Sequence, residues 1–152
     1  MGEYEEVRQE TIVELEKTYD NLRDAQWFFV QKKNGTRIGY VAHFQAAGET
    51  ELGYFIIPTQ RRKGYVTEAI KIIVDYLFLS KNLVRIQAKT RLENKASQKV
   101  LEKAGFKREG TVRKSMFIRG EWRDLFLYSI LREEWKEPKR LTKTTQNNQR
   151  RR

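Results

Sequence analysis

Apolar residues early in the chain recur at helical spacing. Between residues 7 and 22 they stand three to five positions apart among acidic side chains. This spacing predicts one amphipathic helix that ends near Asp24. Its apolar positions are Val7, Ile12, Leu15, Tyr19 and Leu22.

A β-hairpin is predicted directly after this helix. Its two strand-like segments, residues 27–33 and 36–44, flank the dipeptide Asn34-Gly35. Asn-Gly tolerates the positive φ angles of a tight hairpin turn better than other dipeptides do.

The middle of the chain predicts a strand, a helix and a second strand. Residues 51–57 form a strand that Pro58 ends, because proline lacks the amide proton of a continuing ladder. Apolar residues between Val66 and Leu77 then share one face of a helix of about four turns. Residues 84–89 alternate as in a strand. A crossover of this kind favours parallel neighbouring strands.

A second helix and further strands complete the predicted fold. Residues 94–104 predict a helix that Gly105 ends as a left-handed cap. Residues 106–112, 114–118 and 122–131 predict strands, and the last two are joined by a turn at 119–121. The predicted class is α/β with a mixed sheet. Residues from about Pro138 onward are polar and without periodicity, and we expect them to be disordered.

Size and composition indicate one domain of a cytoplasmic protein. A chain of 152 residues accommodates one core. Its apolar runs are too short for a transmembrane helix, and its acidic start lacks the features of a secretory signal. The absence of cysteine excludes disulfides and a thiolate nucleophile.

The net charge of +11 is distributed unevenly. Residues 1–26 carry 3 basic and 8 acidic groups, residues 27–135 carry 21 and 11, and residues 136–152 carry 7 and 1. A basic core is compatible with nucleic acid, a ribosome or a polyanionic cofactor. Charge alone does not choose among them.

The loop after Pro58 has the composition of an anion site. A strand end, a short basic loop and a helix start direct backbone amides and the helix dipole towards a negative ligand. Gly64 allows close backbone approach, and the side chains of Arg61, Arg62 and Lys63 supply charge-assisted hydrogen bonds. The alternative is a solvated basic turn.

The segment 61–66 resembles the Arg/Gln-x-x-Gly-x-Gly/Ala signature of the GNAT superfamily of N-acetyltransferases. Other blocks resemble its branch that acetylates ribosomal-protein N-termini: residues 51–54, 64–69, 93–97, 100–106, 108–110 and 122–135. The resemblance implies an N-acetyltransferase domain over residues 1–135, a basic tail over residues 136–152, and a GNAT-type sheet with flanking helices and a splayed parallel strand pair.

The resemblance also implies acetyl-coenzyme A as cosubstrate and no metal. The side chains of Phe55 and Ile56 are expected in the core, so their backbone groups would pair with the pantetheine arm. The matching position of Asn94 contacts the cofactor in the family, although a helix N-cap is the alternative. Amides of the loop would hold the pyrophosphate: Arg61, Arg62, Lys63, Gly64, Tyr65 and Val66.

Two departures from the family pattern stand out. Val66 replaces the usual Gly or Ala and would crowd the phosphate unless its side chain points into the core. The initial strand and helix of relatives also have no counterpart, and an uncovered sheet edge invites pairing. A truncated chain or a homodimer would account for the second departure.

Direct attack of an amine on a thioester needs a neutral amine and a proton for the departing thiolate. Neutralising a lysine-like amine of pKa about 10.4 at pH 7 costs about 4 kcal/mol, whereas an α-amine of pKa about 7.7–8.0 costs about 1 kcal/mol. An α-amine therefore needs little help from a base. Glu51 could accept its proton through water; the alternative is a surface carboxylate. His43, the single histidine, is expected to be an ordinary sheet residue.

The proton donor is assigned through the resemblance. Leu101 stands where many superfamily members carry a tyrosine, and the branch uses the serine of Asn-x-x-Ser instead, which is Ser97 here. The alternative for Ser97 is a first-turn helix serine. The expected acceptor is a protein N-terminus. A polyamine or aminoglycoside, or a non-catalytic module that binds RNA or the ribosome through the basic tail, remain alternatives.

Overall fold

The structure is a computed structural model that describes residues 25–138. The helix predicted before Asp24 lies outside this range, as does most of the predicted basic tail. The domain limits at residues 135 and 136 therefore stay a prediction. Among the described residues, none of the helices is long and apolar enough to cross a membrane.

Within residues 25–138, six strands form one mixed sheet in the order β1-β2-β3-β4-β6-β5. Every neighbouring pair is antiparallel except β3 and β4, which run parallel. This arrangement confirms the predicted α/β class. The strands are β1 (Gln26–Gln31), β2 (Arg37–Ala46), β3 (Glu49–Ile56), β4 (Arg85–Arg91), β5 (Lys107–Ile118) and β6 (Glu121–Leu131).

In the described part of the chain, two α-helices pack on one face of the sheet. Helix α1 (Tyr65–Ser80) carries the apolar stripe seen in the sequence, and α2 (Lys95–Lys103) runs from Asn94 to the Ala104 cap, as predicted. Gly105 follows with φ of 96°, a conformation that glycine adopts without strain. The core between the helices and the sheet contains Val66, Ile70, Ile73, Val74, Leu77, Phe78, Ile86, Ala88, Leu101 and Tyr128.

Strands β3 and β4 are paired over only two residue pairs, Glu51 with Gln87 and Leu52 with Ala88. Beyond Leu52, β3 continues to Ile56 along β2, but no longer pairs with β4. This divergence is the predicted splay of the parallel pair. The divergence leaves an opening between the strands. The last residues of β3, the 3-10 turn at Pro58–Gln60 and the start of α1 lie on one side of this opening.

The turns differ in one respect from the sequence prediction. The first hairpin forms, but Asn34 does not adopt a positive φ; only Gly35 does, at 88°. Gly35 N donates to Lys32 O, and Lys32 N to Thr36 O, which gives a wider loop in place of a two-residue turn. Tight turns with positive φ at both positions lie instead at Ala47-Gly48 and Arg119-Gly120.

Two further boundaries are corrected. Residues 107–118 form a single strand, because a register shift between Val112 and Met116 absorbs the expected break as a bulge. Lys114, in that bulge, has a positive φ of 48° and donates its amide to Asp124. Val84 precedes β4 and is 74% exposed, so the inward positions of this strand begin at Ile86.

The C-terminal end of α1 is held by Arg132. Its guanidinium donates to the carbonyl oxygens of Phe78, Lys81 and Leu83 at 2.6–2.9 Å. Phe78 O belongs to the last turn of α1, whose carbonyls lack intrahelical amide partners, and Lys81 and Leu83 follow the helix directly. The cap ties α1 to the segment after β6, and thereby fixes the helix whose other end opens towards the divergence of β3 and β4.

Candidate active site

The backbone of β3 beyond Leu52 supplies one wall of the site. Ile57 N donates to Ile38 O on β2, and in an antiparallel ladder such bonded residues alternate with residues whose backbone groups point away. The N–H and C=O of Phe55 therefore face β2, whereas those of Tyr54 and Ile56 face the side from which β4 has diverged. Of the two residues predicted to offer backbone groups to the pantetheine arm, Ile56 faces the opening and Phe55 does not. Tyr54, which was not predicted, also directs its backbone groups there.

The side chain of Phe55 is not in the core, contrary to the expectation. It is 41% exposed and stacks on Tyr40, on the face of the sheet opposite the helices. Ile56 does pack against the core, as expected. Alternation along the strand separates the two, because successive side chains point to opposite faces.

The start of α1 leaves backbone amides free of intrahelical acceptors. The first helical bond runs from Glu68 N to Gly64 O, so the amides of the preceding turn point out of the helix end. Gly64, the N-cap, has φ of 81° and carries no side-chain cap. Val66 is buried in the core, so its branched side chain does not crowd this approach. The structure therefore removes the objection raised by Val66.

Three exposed basic residues, Arg61, Arg62 and Lys63, directly precede Gly64 in this loop. Arg61 Nε donates to Ile56 O at 3.2 Å, and Lys63 Nζ donates to Gln60 Oε1 at 3.3 Å. Arg62 has a positive φ of 61°, which is strained for a residue with a Cβ. The loop combines outward amides, a helix N-terminus and three cations, and this set suits a pyrophosphate.

The first turn of α2 lies across the divergence from β3. Asn94 is its N-cap, and Asn94 Oδ1 accepts a hydrogen bond of 3.1 Å from Ser97 N. Gln98 Nε2 donates to the carbonyls of Arg91 and Leu92, which fixes the loop between β4 and α2. The N-cap role of Asn94 is thus present, and its amide nitrogen is not needed for that role.

Ser97 contacts a tyrosine that the sequence analysis did not single out. Tyr54 Oη lies 2.5 Å from Ser97 Oγ and 3.4 Å from the Ser97 carbonyl oxygen. Burial raises the pKa of Tyr54 to about 12, although the hydrogen bond with Ser97 opposes that rise. The phenol therefore stays protonated at neutral pH. Its alternation with Leu52 on β3 placed it on the helix face, and that was the available signal.

Neither of the other positions considered for proton transfer, Leu101 and His43, hydrogen-bonds to this pair. Leu101 is fully buried in the core, so α2 offers no polar group at that position. His43 is buried, bonds Gln26 at 2.8 Å and stacks on Phe28. Burial, reinforced by the charge of Lys81, lowers the pKa of His43. It is a neutral sheet residue, as expected.

Glu51 lies at the vertex of the divergence. Its side chain is buried on the face opposite Leu52 and the helices, and is not a surface carboxylate. Glu51 Oε2 accepts a hydrogen bond of 2.9 Å from Gln87 Nε2 and lies 3.0 Å from Lys89 Nζ. Arg85, beside them, pairs with Glu49 at 3.4 Å and Glu109 at 2.8 Å.

The predicted site residues thus lie around the point where β3 and β4 diverge, on both faces of the sheet. The loop of Gly64 and the Tyr54–Ser97 pair belong to the helix side, and Glu51 belongs to the opposite side. Within residues 25–138, no cluster of three His, Asp or Glu side chains is arranged to hold a metal ion.

Comparison with known proteins agrees with this geometry. The profile of the Acetyltransferase (GNAT) domain family matches residues 3–107, more than half of the chain. The uncharacterized N-acetyltransferase YnaD of Bacillus subtilis is 39% identical over 100 residues, which cover 64% of this chain and 59% of YnaD. The chain thus spans less than two thirds of the length of that relative.

Two solved structures extend the likeness. The ribosomal-protein-S5-alanine acetyltransferase from Vibrio fischeri is 34% identical, with a TM-score of 0.67 over 85% of this chain and 71% of its own. The spermidine N-acetyltransferase from Vibrio cholerae, solved in complex with CoA and spermine, is 27% identical, with a TM-score of 0.66 over 80% and 75%. The divergent parallel pair, the amide-rich loop and the family match together establish that this chain belongs to the GNAT acetyltransferase family.

Proposed function

We propose that this chain transfers an acetyl group from acetyl-coenzyme A to the α-amine of a protein N-terminus. The observation that carries the proposal is the parallel pair β3–β4, which opens after two residue pairs between the Gly64 loop and the Ser97 hydroxyl. An extended thioester arm fits such an opening, because Tyr54 and Ile56 present backbone groups there. Acetyl-coenzyme A would supply an activated acetyl group.

The residues of the chain would act as follows. Amides and cations of residues 61–66 hold the pyrophosphate, with the dipole of α1 adding to the attraction. The amide of Asn94 remains available to the cofactor while its oxygen caps α2. Ser97 donates a hydrogen bond to the sulfur as the carbon–sulfur bond breaks, and Glu51 accepts the amine proton through water.

Charges on the acceptor side favour a protein N-terminus over a polyamine. A polyamine carries several positive charges and is bound best by carboxylates that lack partners. Here Lys89 compensates Glu51, while Arg85 compensates Glu49 and Glu109. Residues 27–135 also carry 21 basic against 11 acidic groups. The likeness to a spermidine acetyltransferase nevertheless makes spermidine the acceptor to test beside peptides.

The test measures thiol release from acetyl-coenzyme A with matched acceptors. The panel contains peptides with a free α-amine, the same peptides with a blocked N-terminus and one lysine, and spermidine. We expect release with the free α-amine and little with the other two. Release with spermidine alone would replace the acceptor and keep the enzyme. No release with any acceptor, together with no cofactor binding by calorimetry, would refute the enzyme.

The roles of Ser97 and of the tail need their own variants. Ser97→Ala should lower kcat by roughly 10²-fold with little change in acetyl-coenzyme A binding.

Removal of residues 138–152 should leave kcat with peptides unchanged. If the tail binds the ribosome, the removal should also weaken salt-dependent RNA binding. No turnover by the full chain, together with RNA binding that removal of the tail abolishes, would favour a binding module. Size-exclusion chromatography of the full chain tests the homodimer.

A further inference from the structure

We propose that Tyr54 is a positioning residue for the transfer: its phenol donates to Ser97 Oγ and thereby leaves the Ser97 hydrogen directed at the departing thiolate. The inference rests on the proposed function and adds a second hydroxyl to it. The two side chains come from different elements, β3 and α2, which meet across the divergence.

The hydrogen bonds around Ser97 define which way its hydroxyl is used. The backbone N–H of Ser97 is engaged by Asn94 Oδ1 at 3.1 Å, so the turn that carries the side chain is fixed. A serine hydroxyl has one hydrogen and two lone pairs. Tyr54 Oη lies 2.5 Å from Ser97 Oγ, where either hydroxyl can be the donor, and 3.4 Å from the Ser97 carbonyl oxygen. A phenol is a stronger acid than an alkyl hydroxyl, so we assign the phenol as the donor to Ser97 Oγ. The hydrogen of Ser97 is then free for another acceptor.

Tyr54 would act through a hydrogen bond and not by giving up its proton. Burial raises the pKa of Tyr54 to about 12. A thiol has a pKa of about 8.5, so full proton transfer from the phenol to the thiolate is unfavourable by more than three orders of magnitude. A phenol that stays protonated remains a donor throughout the reaction. It polarises the Ser97 O–H and so strengthens the donation of Ser97 to negative sulfur.

The transfer then balances without a further reactant. The lone pair of the neutral amine forms the bond to the acetyl carbon, and the electron pair of the carbon–sulfur bond leaves with sulfur. The proton that the amine loses passes through water towards Glu51 and solvent. The thiolate, stabilised by the Ser97 hydrogen bond, takes its proton from water afterwards. Tyr54 and Ser97 end the cycle in their starting protonation states.

The test is a double-mutant cycle on the full chain with the acceptor identified by thiol release. We expect Tyr54→Phe to lower kcat about tenfold with an unchanged Kd for coenzyme A by calorimetry, and Ser97→Ala to lower kcat by roughly 10²-fold. In the Ser97→Ala background, Tyr54→Phe should have almost no further effect, because its role passes through the serine. Tyr76→Phe, which removes a phenol on the exposed side of α1, should retain wild-type kcat.

Different failures have different meanings. A loss from Tyr54→Phe that persists unchanged without Ser97, or that exceeds the loss from Ser97→Ala, would overturn the inference and leave the enzyme intact. An unchanged kcat in Tyr54→Phe would do the same. Failure of the wild type to release thiol would refute the proposed function and this inference together. Circular dichroism and coenzyme A binding separate these results from misfolding of a variant.

Discussion

The Glu51 carboxylate accepts a 2.9 Å hydrogen bond from Gln87, and the same two residues form the first of the two register pairs that join β3 to β4. Side chain and backbone therefore hold the strands together at one level of the sheet. Lys89 adds its charge 3.0 Å from the same oxygen. The carboxylate that we assign to the amine proton is thus also part of the joint from which the strands diverge.

Glu51→Gln separates these two roles. The amide keeps a hydrogen-bonding oxygen for Gln87 but cannot take a proton, so kcat with an α-amine acceptor should fall about tenfold at pH 7. The loss should shrink near pH 9, where the α-amine is already neutral. The measurement is kcat against pH. Glu49→Gln, which alters a neighbouring ion pair, is the control and should retain the wild-type profile. A loss that is equal at both pH values would contradict the role.

Substitutions at Gly64 test whether its conformation or its size matters. An added Cβ at Gly64 would meet no atom within 4 Å, yet φ of 81° strains an L residue. Gly64→Ala should therefore weaken coenzyme A binding and cost about 1–2 kcal/mol of stability. Gly64→Asn should cost less, because asparagine tolerates this φ. Calorimetry and urea unfolding give both numbers. An alanine variant that binds as tightly as the wild type would remove the conformational argument.

Gly39 lets β2 approach the part of β3 that lines the opening. A Cβ on Gly39 would lie 2.2 Å from Phe55 O and 3.0 Å from Ile56 Cα, both backbone atoms that cannot move alone. Gly39→Ala should therefore destabilise the fold by about 1–3 kcal/mol. Gly53→Ala is the matched control on the same strand pair, since its nearest neighbour is a Phe44 side-chain atom at 3.5 Å. Equal unfolding midpoints for both variants would contradict this reading.

His43 should make stability depend on pH. Burial and the charge of Lys81 lower the pKa of His43 below its ordinary 6.5, so the unfolded chain takes up the proton first as pH falls. Stability is then complete above about pH 6.5 and declines towards the lower folded pKa, at no more than about 1.4 kcal/mol per pH unit. Urea unfolding between pH 8 and 5.5 measures this decline. His43→Gln removes the only histidine and should flatten it; an unchanged slope would assign it elsewhere.

Arg132 should matter for stability through its geometry and not its charge alone. Three carbonyl oxygens accept from its guanidinium, an arrangement that an ammonium group cannot reproduce. Arg132→Lys should lower the free energy of unfolding by about 2 kcal/mol. Arg123→Lys, at an exposed ion pair with Glu121, should change it by less than about 0.5 kcal/mol. Similar losses for both variants would show that charge suffices.

Local patterns predicted the elements, and tertiary contacts decided the details. The stripe of α1 and the Asn94 cap depend on neighbours in sequence, so both were predictable. The predicted tight turn at Asn34-Gly35 was wrong, because the register of β1 on β2 requires a wider loop. Ala47-Gly48 and Arg119-Gly120 form the tight turns even though neither alanine nor arginine has a preference for a positive φ.

The contacts of the site depend on which elements meet, and that is not encoded locally. Tyr54 and Ser97 are 43 positions apart, and only the packing of α2 against the open side of β3 brings their hydroxyls together. Likewise, every second residue of β3 hydrogen-bonds to β2, and the register decides which ones do. As a result Tyr54 and Ile56, and not Phe55, direct their backbone groups towards the opening. A sequence pattern predicts which side chains share a face of the sheet, but not which residues of a strand hydrogen-bond to a given neighbouring strand.

The two register pairs between β3 and β4 make the sheet mechanically two antiparallel ribbons, one of β1, β2 and β3 and the other of β4, β5 and β6. Amide protons at this short junction should exchange with solvent sooner than those inside either ribbon, because few hydrogen bonds must break to release them. An extended molecule lying between the ribbons would act as a seventh strand and slow that exchange. The free energy of binding such a ligand would then add to the free energy needed to separate the two ribbons.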